Sequence, residues 1–397
     1  MGKTLIVFSG IYDNGTAAAK RVRQFARGLR CAGDDAAVIC YYRGIRSQYK
    51  QILWDVDRWG VPYTCVGIAE GSIKNYLVVR DVLTLSSRLG TLAVKACGEG
   101  FDRVLLYGTN WFIMRLVVKQ LSRLRLPIVA DFNEWILMGG GSVTEWLDEK
   151  WFRSFCVLKL AGLVCISPFW ESYSKKVTKP MLLIPAMADD EFSDLSTCAS
   201  STFNLVYVGV LYRRDLPETM LEGVRLAIER GVHFTFHIIG RPGLFPESVR
   251  SLKRIETDPL LQTCVHVHGW VTRDQLQKSF AEAGAFLLLH GNDWQSWACS
   301  PTRLPEYLSL GVPVIYSKTK YLPQNLKHGQ NICLLPESNS PEELADAIGY
   351  LVKNRDDGKK IGRAGRELAL SEFYFENHGR RLKQFLDDLQ KDISVHN

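Results

Sequence analysis

Glu306 is the one carboxylate in an otherwise apolar helical stretch, and Arg303 stands three residues before it in SPTRLPEYLSLGVPVIYS, residues 300–317. Pro301 suits the first turn of a helix, where a missing N–H costs nothing. Leu304, Tyr307, Leu308 and Leu310 then recur at roughly helical spacing. Gly311 ends the helix, and residues 312–316 read as a short buried strand. Free amides at such a helix start, near Thr302, suit a diphosphate, and a carboxylate one turn in suits a ribose diol. The plain alternative for Glu306 is a solvated glutamate on a surface helix.

Cations and glycines elsewhere could serve the same chemistry. The segment FNLVYVGVLYRRDLPETMLEGVRLA reads as a strand, a turn at Gly209 and a helix over 217–229. Arg213 and Arg214 fall in the connecting loop, where they could reach a diphosphate. In HFTFHIIGRPG, Gly240 and Arg241 follow another strand. Near the N-terminus, SGIYDNGT places Gly15 where a helix opens and a phosphate could approach the backbone. The string Asp131, Phe132, Asn133, Glu134 ends a strand ahead of Gly139, Gly140 and Gly141, and Ser142 with Glu145 forms a capping box for the next helix. Asn133 equally suits a turn with an Asx hydrogen bond.

The stretch around Glu306 resembles the donor-binding signature of the family-4 type, retaining, GT-B-fold glycosyltransferases. Pro301, Arg303, Glu306, Gly311, Pro313, Val314 and Ile315 fill that signature. The family often has a second glutamate eight positions earlier, which here is Ala298. The resemblance implies a nucleotide-diphosphate sugar as donor, no cofactor or metal, transfer to a hydroxyl with retention, and an active site between two domains. It further implies that Trp270 and Val271 contact the base through their backbone and that Gly15 faces the donor phosphates. Acceptor-facing residues would lie at the 129–135 strand end, with Asp131 or Glu134 as the candidate base, since no histidine precedes His233. Asp293, Trp294 and Gln295 are the candidates to stand in for the glutamate missing at Ala298. The acceptor implied is a glycan or lipid-linked saccharide in bacterial surface-glycan assembly. Two other classes share these features: an epimerase or phosphorylase-like enzyme, and a non-catalytic scaffold in a glycan-assembly complex.

The elements that must position these residues follow from the patterning. Short aliphatic runs (TLIVFS, AAVICYY, RVLLYG, PIVADF, GLVCIS, MLLIPA) alternate with helical stretches, which predicts doubly wound parallel sheets with ligands beyond the strand ends. A chain of 397 residues is too long for one core, so two Rossmann-like α/β domains are expected. Residues 1–187 would form the acceptor domain, 188–202 a linker, 203–371 the nucleotide-sugar domain, and 372–397 a helix crossing back to the first domain.

Charge and cysteines narrow the classes. Residues 1–185 hold 25 Lys and Arg against 15 Asp and Glu, while the rest holds 24 against 27. A basic first half suggests an anionic partner, a diphosphate, a lipid-linked phosphate or an anionic membrane surface, and no motif accompanies it that would point to nucleic acid. On the helix after Gly15, Lys20, Arg23, Arg27 and Arg30 line the side opposite Ala18, Val22, Phe25, Ala26 and Leu29. The aromatic helix 146–155 is expected to pack mostly in the core, with a membrane-interface patch as the alternative. Ten cysteines without a C-x-x-C argue for a reducing, cytoplasmic setting. His237, His266 and His268 read as strand histidines rather than metal ligands. Residues 5–8 read as a first strand, not a signal segment, and no run is long enough to span a membrane.

Overall fold

The structure is a computed structural model, and it describes residues 1–12, 16–43, 54–68, 79–108, 111–133, 147, 150–151, 153–192, 195 and 201–395. Expectations for Gly15, Glu134, the glycines at 139–141, Ser142, Glu145, Trp146 and Phe152 lie outside the described residues. The chain divides into two units. The first contains residues 1–187, 298–300 and 375–397, and the second contains 188–297 and 301–374.

The first unit carries β1 (Lys3–Phe8), β2 (Asp35–Arg43), β3 (Asp55–Val56), β4 (Pro62–Ile68), β5 (Arg103–Tyr107), β6 (Ile128–Phe132), β7 (Gly162–Cys165) and β8 (Met181–Leu183). They form one sheet in the order β3-β4-β2-β1-β5-β6-β7-β8, in which only β3 runs antiparallel to its neighbour. Apolar side chains fill these strands almost without alternation because helices cover both faces. Leu5, Val7, Leu106, Val117, Phe132 and Trp170 belong to one core cluster. The short strands β3 and β4 are not anticipated from the sequence. No C-x-x-C was available, yet the register of β2 on β4 brings the Sγ atoms of Cys40 and Cys65 to 3.0 Å.

The last helix, Phe375–Val395, belongs to this unit and packs on the first, Ala17–Cys31. Glycine permits the crossing. A Cβ on Gly28 would lie 2.8 Å from the Phe375 carbonyl oxygen, and one on Gly379 would lie 2.2 Å from the Gly28 carbonyl. Further along, Arg103 joins Asp387 at 2.6 Å and Asp34 at 3.3 Å, tying the helix to the sheet.

The second unit carries β9 (Asn204–Val208), β10 (Thr235–Ile239), β11 (Val265–Gly269), β12 (Ala285–Leu288), β13 (Val314–Ser317) and β14 (Cys333–Leu335). Its sheet runs β11-β10-β9-β12-β13-β14 with every pair parallel. Strand order reverses between β9 and β12, which opens a crevice at their carboxyl ends. Residues expected in a linker pack here: the Ala188 amide donates to the Phe373 carbonyl at 2.8 Å, and the Phe192 ring meets Phe280 at 5.2 Å.

Two local expectations are corrected. The helix of the 300–317 stretch is Arg303–Ser309, with Thr302 as its N-cap, so Pro301 precedes the helix. Pro305 occupies the first turn instead, where its absent N–H has no helical partner to lose. In the aromatic stretch, Cys156 and Val157 are buried, but Trp151 is 71% exposed and Phe155 and Leu147 face solvent as well. Core packing therefore does not describe Leu147, Trp151 or Phe155.

Candidate functional site

The crevice in the second unit is built by glycines first. The Gly209 amide donates to the Ile239 carbonyl and the Gly240 amide to the Gly269 carbonyl, each at 2.8 Å, lacing together the ends of β9, β10 and β11. A Cβ on Gly209 would meet Tyr207 Oη at 2.2 Å and Arg303 Nη1 at 2.8 Å. Gly240, at φ +137°, has the Gly209 carbonyl oxygen 2.0 Å from where a Cβ would be. Only bare backbone fits at Gly240, whereas a side chain at Gly209 would have to displace Tyr207 Oη and Arg303 Nη1. Beyond Gly209 the chain turns sharply through Leu211 and Leu216, both left-handed at φ 53° and 50°. Such backbone strain in non-glycine residues clusters at ligand sites.

Between those leucines lies the single 3-10 turn Arg213–Asp215, and helix Pro217–Glu229 follows. Arg213 is exposed and donates from Nη2 to Gln295 Oε1 at 3.0 Å. The Arg214 carbonyl accepts from the Gly291 amide at 3.0 Å, joining the loop after β9 to the loop after β12 across the switch point. Asp215 is buried; Tyr207 Oη donates to its Oδ2 at 2.6 Å, and Arg303 Nη2 lies 3.9 Å from its Oδ1.

Arg303 enters this pocket from its own helix, with its guanidinium carbon 5.5 Å from the Tyr207 ring centre. Burial opposes its charge, but Tyr207, Tyr307, Asp215 and Glu306 around it leave its pKa raised, so it remains a cation. Its Nη1 is buried with no hydrogen-bond partner among the described residues. A buried charged donor without an acceptor is costly, and an incoming oxyanion would remove that cost. Glu306 lies half-buried in the first turn of the same helix. That helix has only seven residues and Thr302 makes no side-chain cap, so the expected anion cradle of helix-start amides is short.

His290, two residues beyond β12, was missed as a site residue although it closes the apolar run AGAFLLLH. It is buried, and burial and the nearby Arg214 hold its pKa down at about 3, against the pull of Asp215. It is therefore a neutral ring beside two arginines. Its signal was a polar residue ending a buried strand at the switch point.

The remaining predicted residues fall as follows. Pro301 contributes its carbonyl to the Leu304 amide at 3.1 Å. Trp270 is 72% exposed with the Arg241 guanidinium 4.9 Å above its ring, and Val271 is half-buried beside it. Asp293 accepts from the Ser296 amide at 2.8 Å, capping the short helix Trp294–Ala298, and Gln295 is engaged by Arg213. Ala298 is fully buried in the first unit, where its carbonyl accepts from Trp170 Nε1 at 3.0 Å.

Asp131 lies in the first unit and is buried at the end of β6. Arg21 grips both its oxygens, Nε to Oδ2 at 2.9 Å and Nη2 to Oδ1 at 2.8 Å, and Asn133 Nδ2 adds a contact of 3.2 Å to Oδ2. Arg21 in turn donates to the Pro185 and Ile184 carbonyls. A carboxylate so occupied would have to leave its partner to take a proton, so this geometry favours a structural role over that of a base. His237 Nδ1 and His268 Nε2 are 2.8 Å apart, a mutually hydrogen-bonded pair, and among the described residues no group of three or more His, Cys, Asp or Glu could hold a metal ion.

Two doubly wound α/β units, one with arginines and a carboxylate gathered at its switch point, define a GT-B-type architecture. Residues 202–354 match the family model described as "Glycosyl transferases group 1". The fold resembles sucrose-phosphate synthase of Thermosynechococcus elongatus (TM-score 0.70, 15% identity, covering 98% of this chain and 99% of that one). It also resembles HepE of Anabaena in complex with UDP and glucose (TM-score 0.70, 14% identity, 97% and 99% covered). In sequence, the amylovoran biosynthesis glycosyltransferase AmsK of Erwinia amylovora is 26% identical over 171 residues. That match spans 43% of this chain and 40% of AmsK.

Proposed function

We propose that the protein transfers a sugar from a nucleotide-diphosphate donor to a hydroxyl acceptor, with retention and without a metal, in the assembly of a bacterial surface glycan. The observation that carries this reading is the partnerless Nη1 of Arg303, set beside Arg214 and Glu306 at the switch point. Rupture of the bond from the anomeric carbon to phosphate oxygen leaves negative charge on the diphosphate. Arg213, Arg214 and Arg303 would stabilise that charge more in the transition state than in the ground state. The neutral His290 ring can donate a hydrogen bond without adding like charge to the arginines. Glu306 would hold the ribose diol, while the backbone at Gly209, Gly240, Trp270 and Val271 gives room for phosphates and base. The acceptor oxygen bonds to the anomeric carbon on the face the phosphate leaves, and its proton passes to the departing phosphate oxygen. Asp131 is then not needed as a base. The acceptor in this reading is a lipid-linked saccharide met at the inner face of the cell membrane by the basic first half.

HepE, crystallised with UDP and glucose, makes UDP the first nucleotide to try. In a thermal-shift series with UDP, GDP, TDP, ADP and CMP, one diphosphate at about 100 times its dissociation constant adds ~2.7 kcal/mol and raises the midpoint by several degrees. Glu306→Ala lowers that affinity about tenfold, the loss of one hydrogen-bonding carboxylate. No shift with any nucleotide, or an unchanged affinity in Glu306→Ala, overturns the reading. A second reading, a scaffold that binds without turnover, is favoured by the buried Ala298, whose carbonyl accepts from Trp170 Nε1, at the position where the resembled donor signature often has a glutamate. Donor binding with neither transfer nor hydrolysis would select it.

A further inference from the structure

Leu147, Trp151, Phe155 and Leu158 follow one another at spacings of 4, 4 and 3, and all are exposed, Trp151 by 71% and Leu158 by 78%. Leu147, Lys150 and Trp151 are helical, and helix Arg153–Leu158 continues the stretch. By sequence spacing alone, on an α-helical wheel the four positions fall in a sector about 80° wide. Arg153, Cys156, Val157 and Leu160 take the opposite face and are buried. Among the described residues, the stretch thus buries Arg153, Cys156, Val157 and Leu160 and leaves Leu147, Trp151, Phe155 and Leu158 in solvent. Isolated exposed apolar residues are ordinary, but a contiguous stripe containing Trp and Phe marks an interaction surface.

Charge identifies the occupant. Lys150 and Lys159 are exposed and flank the stripe on either side, with Lys159 Nζ 5.7 Å from the Phe155 ring centre. Lys179 Nζ donates to the Leu160 carbonyl at 2.6 Å, closing the C-terminal end of the same helix. From 147 to 180 the chain carries Lys150, Arg153, Lys159, Lys175, Lys176 and Lys179 against three carboxylates, Asp148, Glu149 and Glu171, with Arg153 buried, so the balance stays basic. Trp and Phe between lysines suit the boundary of an anionic bilayer, where rings sit at headgroup depth and ammonium groups meet phosphates. No helix among the described residues is long and apolar enough to cross a membrane, so any contact of these helices with one would be superficial.

We propose that this face lies on the surface of an anionic lipid bilayer, with Leu147, Trp151, Phe155 and Leu158 entering the headgroup layer. It deepens the membrane-side part of the proposed function and rests on that part only for its purpose. The test is cosedimentation of the purified full chain with vesicles of phosphatidylcholine, with and without phosphatidylglycerol. The wild-type chain partitions onto the phosphatidylglycerol vesicles, and raised salt weakens the binding. Trp151→Ser with Leu158→Ser lowers the partition coefficient by about tenfold or more, from the apolar area withdrawn. Lys150→Gln with Lys159→Gln lowers it several-fold on anionic vesicles only. Trp151→Phe keeps most of the binding. The proposal is overturned if the wild-type chain does not bind, or if both paired variants bind as it does. A dimer in sedimentation velocity that the serine pair dissolves would also overturn it, assigning the face to a second copy. The UDP thermal shift reads residues of the second unit, so a failure here leaves that test intact, and the reverse holds as well.

Discussion

At the scale of single residues, the two aspartates Asp131 and Asp215 show how one side-chain type takes different parts. Asp215 is buried but shares its surroundings with Tyr207 and Arg303, at the crevice where a ligand would come. Asp131 is held by both nitrogens of the Arg21 fork, and Arg21 reaches on to two carbonyls after β8. Removing one member of such a pair strands a buried charge. Asp131→Leu should therefore destabilise the first unit by about 3–5 kcal/mol, and adding Arg21→Met should recover part of the loss. Thermal melting of the single and double variants checks this. A melting point unchanged by Asp131→Leu, with transfer abolished, would make Asp131 the base after all.

At the scale of elements, the crossing of helix Ala17–Cys31 with helix Phe375–Val395 depends on two glycines in contact. The Cβ of any other residue at Gly379 would overlap the Gly28 carbonyl carbon and oxygen, each 2.2 Å away. Backbone cannot yield as a flexible side chain can. Gly379→Val is expected to cost at least the ~1–3 kcal/mol typical of overpacking and to loosen the last helix. Limited proteolysis would show it as early cleavage within 375–395. A cleavage pattern like that of the unaltered protein would mean the helices shift apart without loss, which the ion pairs of Arg103 with Asp34 and Asp387 argue against.

At the scale of the whole molecule, two histidines of the second unit give the stability a pH dependence of definite sign. Burial holds His290 near pKa 3, and burial with its neighbours His268 and His266 holds His237 near 4, against an ordinary value of 6.5. Both stay neutral when folded and take up protons on unfolding, so the unfolded chain binds more protons below pH 6.5. Stability is thus complete above about 6.5 and falls as pH drops toward 4, by up to ~1.4 kcal/mol per pH unit for the fully buried His290. Denaturant melts at pH 7 and pH 5 should show the fall, and His290→Asn should flatten it. A slope unaltered by that variant would show that His290 protonates in the folded protein without penalty.

The sequence by itself determined the α/β class, most of the strands, the helix over 217–229 and the stretch that contributes Arg303 and Glu306. These follow from local rules: apolar runs of strand length, a proline or glycine at each boundary, and a switch from one period to another. It did not reveal that Arg21, the residue after Lys20 of the basic face, turns inward onto an aspartate 110 residues away. Nor did it reveal His290 beside Arg214 and Arg303, the contact of Gly28 with Gly379, or the solvent-facing side of the 147–158 stretch. Each of those depends on which elements become neighbours. Burial, the pairing of charges and the room left for a ligand are properties of the packed sheet and its helices, set by contacts distant in the chain. A pattern can name a residue that is able to bind phosphate; only the packing left Arg303 Nη1 buried with no hydrogen-bond partner among the described residues.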